Sequence, residues 1–215
     1  MIKTFYFNDL RTACYVLYDH AGNCAIVDPG CGSDSEKNRL VKFVEENNLK
    51  PQKIINTHGH FDHVMGNVFV TRKWNIPTYM NVNDLKEVSR VAAYGKYFGY
   101  EIPQPRQDVI DIKDKDIIEV GDIKLQVRFV PGHSKGSVAL YNEKEAYVIS
   151  GDVIFAGSIG RTDLPGGDLD ALKNSLATKI LTLPPNTNIL PGHGPKTDVA
   201  SELATNPFLD FMSQE

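Results

Sequence analysis

The segment Thr57-His58-Gly59-His60-Phe61-Asp62-His63 sets three imidazoles and a carboxylate within six consecutive positions. Neutral imidazole suits zinc, iron or manganese, and the carboxylate adds a hard, negatively charged oxygen. Alternate spacing lets the rings of His58 and His60 point the same way from an extended segment. Asp62 and His63 begin the next helix and aim at a neighbouring position. That layout suits two metal ions held a few ångströms apart better than one. The competing reading, a polar loop whose histidines bond locally, is weakened by scarcity: of six histidines, five fall in motifs of this kind. The sixth, His20, lies in a predicted hairpin turn and reads as ordinary surface.

Two further histidines arrive in matching settings, Pro131-Gly132-His133-Ser134 and Pro191-Gly192-His193-Gly194. Each follows a predicted strand, where Pro and Gly end the extended run and let the imidazole project from a sheet edge. Ser150-Gly151-Asp152 again follows a predicted strand directly. Alone, Asp152 would read as a turn-capping aspartate, and each Pro-Gly-His as a buried turn histidine. One carboxylate can bridge two cations, however, so a strand-end aspartate is the donor such a set still requires.

The elements that would carry these residues are legible from periodicity. Residues 1–7, 12–18 and 24–27 read as strands, the last two joined by a hairpin turn at 19–23 that contains Gly22. Residues 35–48 place Leu40, Val41, Phe43 and Val44 among charges, an amphipathic helix with Ser33 or Ser35 near its cap. A short strand at 53–56 delivers the chain to the first histidine cluster. Downstream, 117–119, 123–130, 137–141, 146–150 and 188–190 predict strands. Residues 169–183 predict a helix and 199–204 a brief one. Strands and helices in each half suggest two sheets with helices outside. The run Tyr94-Gly95-Lys96-Tyr97-Phe98-Gly99-Tyr100 either walls a substrate groove or packs its rings as a helix end.

Composition bounds the function. The 215 residues are 41% hydrophobic, enough to bury a core as one domain over residues 1–215, and the net charge of −4 argues against a nucleic-acid partner. Cys14, Cys24 and Cys31 are an odd number without Cys-x-x-Cys spacing and read as reduced, packed thiols. Cys31, in a glycine-flanked turn, is the best placed of them to be reactive. Neither a secretory leader nor a membrane-spanning run is visible, so the expectation is a soluble cytoplasmic protein without a membrane partner.

Taken jointly, T-H-x-H-x-D-H, a P-G-H after a later strand, a G-D and a final P-G-H-G resemble the metallo-β-lactamase superfamily. They occur in that family's order across nearly the whole chain. The resemblance implies an α+β fold, an αββα sandwich of two mixed sheets face to face with helices outside and metals at one sheet edge. It implies that His58, His60 and His133 hold one metal ion, that Asp62, His63 and His193 hold a second, and that Asp152 bridges them. Zinc is the first expectation, with iron or manganese as alternatives. Asp28, in Ile26-Val27-Asp28-Pro29-Gly30, matches a position that supports the ligands from behind; otherwise it is a plain turn aspartate.

Within the superfamily the chain looks most like glyoxalase II, the hydroxyacylglutathione hydrolases. The stretch from Gly151-Asp152 through Gly160-Arg161 is similar to the segment where that family places a basic substrate-binding residue, so Arg161 takes that role by resemblance. Two departures matter. No C-terminal glutathione-binding helical domain is expected after Gly194, and Arg161-Thr162-Asp163 stands where an aromatic residue is common. The chain therefore resembles short, single-domain glyoxalase II-like proteins. As a hydrolase, two cations would acidify a bridging water, whose hydroxide attacks a small-molecule thioester; Asp62 and Asp152 would orient it or briefly accept a proton. A rival remains open, because Gly160-Arg161-Thr162-Asp163 also occurs in persulfide dioxygenases of the same superfamily. There a single Fe(II) on His58, His133 and Asp152 would oxidise glutathione persulfide, leaving Asp62, His63 and His193 as bystanders.

Overall fold

β-Branched and aromatic residues open the chain as antiparallel strands β1 (Ile2–Phe7), β2 (Thr12–Tyr18) and β3 (Asn23–Val27). The computed structural model describes residues 1–213. At the turn between β2 and β3, the Asp19 carboxylate accepts from Asn23 N and Nδ2 at 2.9 and 2.8 Å. Helix α1 (Asp34–Glu46) starts at Ser33, the first of the two serines considered for the cap. Ser33 Oγ accepts from Glu36 N, and Glu36 Oε2 accepts from Ser33 N at 2.9 Å and Gly32 N at 3.0 Å, a reciprocal capping box. Leu40 and Val44 on its inner face are buried.

Two compact units emerge, the first comprising Met1–Ile112 with Glu119–Lys124 and the second Lys113–Ile118 with Leu125 onward. In the first, α1 is the crossover that a parallel strand pair demands, returning the chain to β4 (Lys50–Ile55) alongside β3. Short helices α2 (Phe61–Val64) and α3 (Asn67–Trp74) lead to β5 (Thr78–Met80). Then α4 (Leu85–Val88) and α5 (Val91–Tyr97) lead to β6 (Ile110–Asp111). The resulting mixed sheet runs β1-β2-β3-β4-β5-β6, over a core that includes Phe5, Phe7, Leu40, Ile54 and Val70.

The second unit's strands are β7 (Ile117–Val120), β8 (Ile123–Phe129), β9 (Val138–Asn142) and β10 (Tyr147–Gly151), then a small hairpin, β11 (Ile154–Phe155) and β12 (Ser158–Ile159). After α6 (Leu169–Ser175) come β13 (Asn188–Pro191), β14 (Thr197–Asp198) and α7 (Val199–Thr205). Its sheet runs β14-β13-β10-β9-β8-β7, with β10 and β13 parallel. The tip of the β7–β8 hairpin, Glu119–Lys124, is grouped with the first unit. The helix expected over 169–183 is regular only to Ser175 and widens to a π-helix over Leu176–Ile180. There Thr178 Oγ1 donates to Asn174 O at 2.7 Å, a hydroxyl bond that competes with the helical ladder.

Among the described residues no helix is long and apolar enough to cross a membrane. All three cysteines are free and buried. The expectation of reduced, packed thiols is met even at Cys31, the best placed of the three to be reactive: a Cβ on Gly66 would lie 2.6 Å from its Sγ. Burial pushes the Cys24 and Cys31 thiols up to about 12, and that of Cys14 well above the usual range. A group with so high a pKa stays protonated near neutrality, so it is a poor nucleophile there. Ellman's reagent at about pH 8 should therefore find no fast-reacting thiol in the native protein and all three after denaturation. A fast native thiol traced to Cys31 would contradict this packing.

Candidate metal centre

Parallel pairing sets Val27 opposite Ile55, so the residues that follow β3 and β4 leave the sheet side by side. Asp28, with φ of 48°, ends β3 in the left-handed region that a short polar side chain tolerates. It is 1% exposed, yet its carboxylate collects three hydrogen bonds. Thr57 N donates to Oδ1 at 2.8 Å, Thr57 Oγ1 to Oδ2 at 2.6 Å, and His63 Nδ1 to Oδ2 at 3.0 Å. A threonine hydroxyl has one proton to give. With that proton committed to Asp28, Thr57 Oγ1 accepts from His58 Nδ1, 3.0 Å away.

Both imidazoles are thereby fixed as Nδ1–H tautomers, which leaves each Nε2 lone pair free of a proton and able to take a metal ion. The His58 ring centre lies 4.1 Å from that of His63 and 4.7 Å from that of His60. One ligand atom each from Asp28, His58 and His63 falls within 4.8 Å of the others. Because three donors already engage Asp28, its part is to hold the two histidines. Asp62 is held in turn: Thr12 Oγ1 donates to its Oδ2 at 2.7 Å, and His63 Nε2 lies 3.3 Å from the same oxygen.

Backbone contacts fix the loop itself. Gly59 N donates to the fully buried Asp84 Oδ2 at 2.8 Å, Asn8 Nδ2 to Asp62 O at 3.3 Å, and Asn56 Nδ2 to His63 O at 3.3 Å. A Cβ on Gly59 would lie 2.8 Å from Asp84 O, so this position needs glycine. Thr12, Thr57, Asp84 and Asn8 were not singled out by sequence reasoning. Thr57 alone carried a signal, as the residue between a strand end and the histidines.

The second unit builds its donors by the same device. β10 and β13 pair Ile149 with Leu190, and Gly192 N donates to Gly151 O at 2.8 Å. Asp152 and His193 emerge beside each other beyond those ends, His193 Nε2 being 3.4 Å from Asp152 Oδ2. β8 is antiparallel to β9, which is antiparallel to β10, so His133 leaves the same edge. Its Nε2 is 3.6 Å from Asp152 Oδ2. Its Nδ1 donates to Arg161 O at 2.8 Å, and since a carbonyl only accepts, this tautomer is fixed as well. Gly160 permits the close approach, because a Cβ there would meet Asp152 O at 1.9 Å.

Of the sequence-predicted residues, the first unit thus gathers Asp28, His58, His60, Asp62 and His63, and the second gathers His133, Asp152, His193 and Arg161. Their chemistry, three Nε2-presenting imidazoles with ordered carboxylates, fits divalent metal ions. Arg161 contributes its carbonyl. Its exposed guanidinium forks onto Asp163 (Nε to Oδ1 2.8 Å, Nη2 to Oδ2 2.7 Å), which holds the Asp163 carboxyl down at about 2. His20 is exposed, as expected of ordinary surface. The aromatic run at 94–100 does form a helix end, closing α5, but it packs only in part: Phe98 stacks on Phe61 at 5.1 Å and Tyr100 lies against the cluster of Met65, Val91 and Ile102, while Tyr97 is exposed.

Comparison with known proteins gives a match to the metallo-beta-lactamase superfamily over residues 8–193. A probable metallo-hydrolase of Bacillus subtilis, YqgX, is 40% identical over 88% of this chain and 89% of its own length. The hydroxyacylglutathione hydrolase GloC of Haemophilus influenzae is 31% identical over 93% of both chains. Among solved structures, the BLEG-1 B3 metallo-beta-lactamase superposes with a TM-score of 0.87 at 36% identity, over 97% of this chain and 99% of that one. TTHA1623 in a di-iron-bound form superposes with a TM-score of 0.85 at 36% identity, over 97% of this chain and 100% of that one.

The hydrogen-bond chain behind the histidines makes a specific demand. Thr57→Val keeps the shape of the side chain but strands His58 Nδ1 and removes one of the two hydrogen bonds to Asp28 Oδ2. Zinc affinity, measured by chelator competition, should fall by roughly 10–100-fold, and Thr57→Ser should restore it. Unchanged affinity in Thr57→Val would contradict the positioning role.

Proposed function

This chain belongs to the metallo-β-lactamase superfamily, whose fold it has, and from that premise we propose a binuclear hydrolase of small thioesters. Hydrolase-type chemistry is the family-level statement. The finer reading is conversion of hydroxyacylglutathione and water to a hydroxy acid and glutathione. It is supported by the likeness to GloC over nearly the full length of both chains. The observation that carries it is the ordering of Asp62 and His63: both are buried, one held by Thr12 and the other by Asp28. A mononuclear dioxygenase would ligate its iron through His58, His133 and Asp152 alone, so metal stoichiometry and oxygen uptake separate the two readings.

In this reading His58, His60 and His133 hold one ion, Asp62, His63 and His193 hold the other, and Asp152 is shared. Zinc fits the nitrogen-rich set first, and iron and manganese fit it next; a di-iron form is known for TTHA1623. Metal ions bound there supply Lewis acidity for the carbonyl and lower the pKa of water toward neutrality. Asp28 and Thr57 keep His58 and His63 in the ligating tautomer. Asp62, with Oδ2 held by Thr12, and Asp152, beside His133 and His193, would orient the attacking water or briefly accept its proton. The thiolate is a weak base and leaves with little acid assistance. Arg161 meets a substrate carboxylate by exchanging its fork from Asp163.

Purified protein should hydrolyse S-lactoylglutathione with about two metal ions bound per chain. His58→Ala and Asp152→Asn should each lower kcat/KM by roughly 10²-fold or more. One iron per chain with oxygen uptake on glutathione persulfide would replace this reading with the dioxygenase. Preferential turnover of a β-lactam would replace it with a lactamase.

A further inference from the structure

The first unit contains a cavity whose lining shares no residue with the metal donors. Met65 and helix α3 present residues at helical i, i+3/4 and i+7/8 spacing, namely Met65, then Val68 and Phe69, then Arg72 and Lys73. That face, with Lys37 of α1 and the 100–103 segment, encloses about 450 Å³. Such a volume accommodates a small organic ligand. The floor is apolar: Met65 and Ile102 are buried, and Val68 and Phe69 half-buried.

Its rim runs against the charge of the protein as a whole. In a chain of net charge −4, the cavity draws Lys37, Arg72 and Lys73 together against one carboxylate, Glu101. Arg72 is exposed and makes no ion pair among the described residues. Lys37 pairs with Asp34 at 3.2 Å and Lys73 with Glu45 at 3.3 Å, and both carboxylates are well exposed. Pairs of that kind contribute little and exchange readily for a better-placed anion. The Lys37 ammonium is steered over the Phe69 ring, 5.8 Å from its centre, so charge and aromatic surface meet at one point.

We propose that this groove binds a small amphipathic organic anion, its apolar body on the Met65–Phe69–Ile102 floor and its acidic head on Arg72 and Lys73. The inference is independent of the thioesterase reading, because it rests on other residues and is read by binding alone.

The probe is anilinonaphthalene sulfonate, followed by fluorescence with the intact protein and with octanoate or AMP as competitor. Saturable one-to-one binding is expected. The double variant Arg72→Glu/Lys73→Glu should weaken it about tenfold or more, while the charge-matched control Lys42→Glu/Lys50→Glu leaves it unchanged. Displacement by octanoate assigns a carboxylate head, and displacement by AMP a phosphate. Displacement by neither overturns the proposal, as does equal affinity in Arg72→Glu/Lys73→Glu. So does affinity lost instead in Tyr97→Ser/Phe98→Ser, which would move the probe to the exposed aromatics.

Discussion

A carboxylate sealed from water is costly unless donors replace its hydration, and Asp28 is such a group. It sits 1% exposed at the end of β3 and is satisfied by the Thr57 amide, the Thr57 hydroxyl and the His63 ring. The direction of every proton in that cluster follows. Thr57 spends its proton on Asp28 and must accept from His58, so both histidines present Nε2 outward. Much of the first unit serves this arrangement. The β3–β4 register brings residue 28 beside residue 57, and the left-handed backbone at Asp28 ends the strand where that meeting occurs.

The second unit reaches the same chemical end with different atoms. A backbone carbonyl, Arg161 O, takes the place of a carboxylate in fixing His133. Asp152 stands between His133 and His193, within 3.6 and 3.4 Å of their Nε2 atoms. In both units the donors stand beyond the carboxyl ends of parallel strands, where loops are free to carry chemistry. Rigid strands fix where each loop begins, and close packing at Gly59 and Gly160 fixes where it goes.

The donor types and their places at strand ends were legible because each motif is local: a strand, a Pro-Gly or Gly turn, then a ligand. The first three strands and α1 were legible for the same reason, within a residue or two. What could not be read was anything that depends on contact between distant segments. Thr12 meets Asp62 across fifty positions, and Asp84 reaches Gly59 across twenty-five. Cys31 was legible as a packed thiol, but its partner in that packing, Gly66, was not. The helix over 169–183 read as regular because apolar periodicity continues through the π-helical stretch, while the hydroxyl bond of Thr178 leaves no periodic trace. Arg161 was identified by its side chain, yet its carbonyl makes the contact to the ligand set, and no sequence pattern reports which atom of a residue is used.

Proton placement behind the metal donors decides how the site works, and it is observable without metal or substrate. Nitrogen-15 NMR of the histidine rings in metal-free protein reports which nitrogen of each ring carries the proton. The prediction is that His58, His63 and His133 are Nδ1–H tautomers, with the signals of His58 and His63 perturbed together in Asp28→Asn. Nε2–H tautomers, or rapid exchange between the two forms at these three rings, would contradict it.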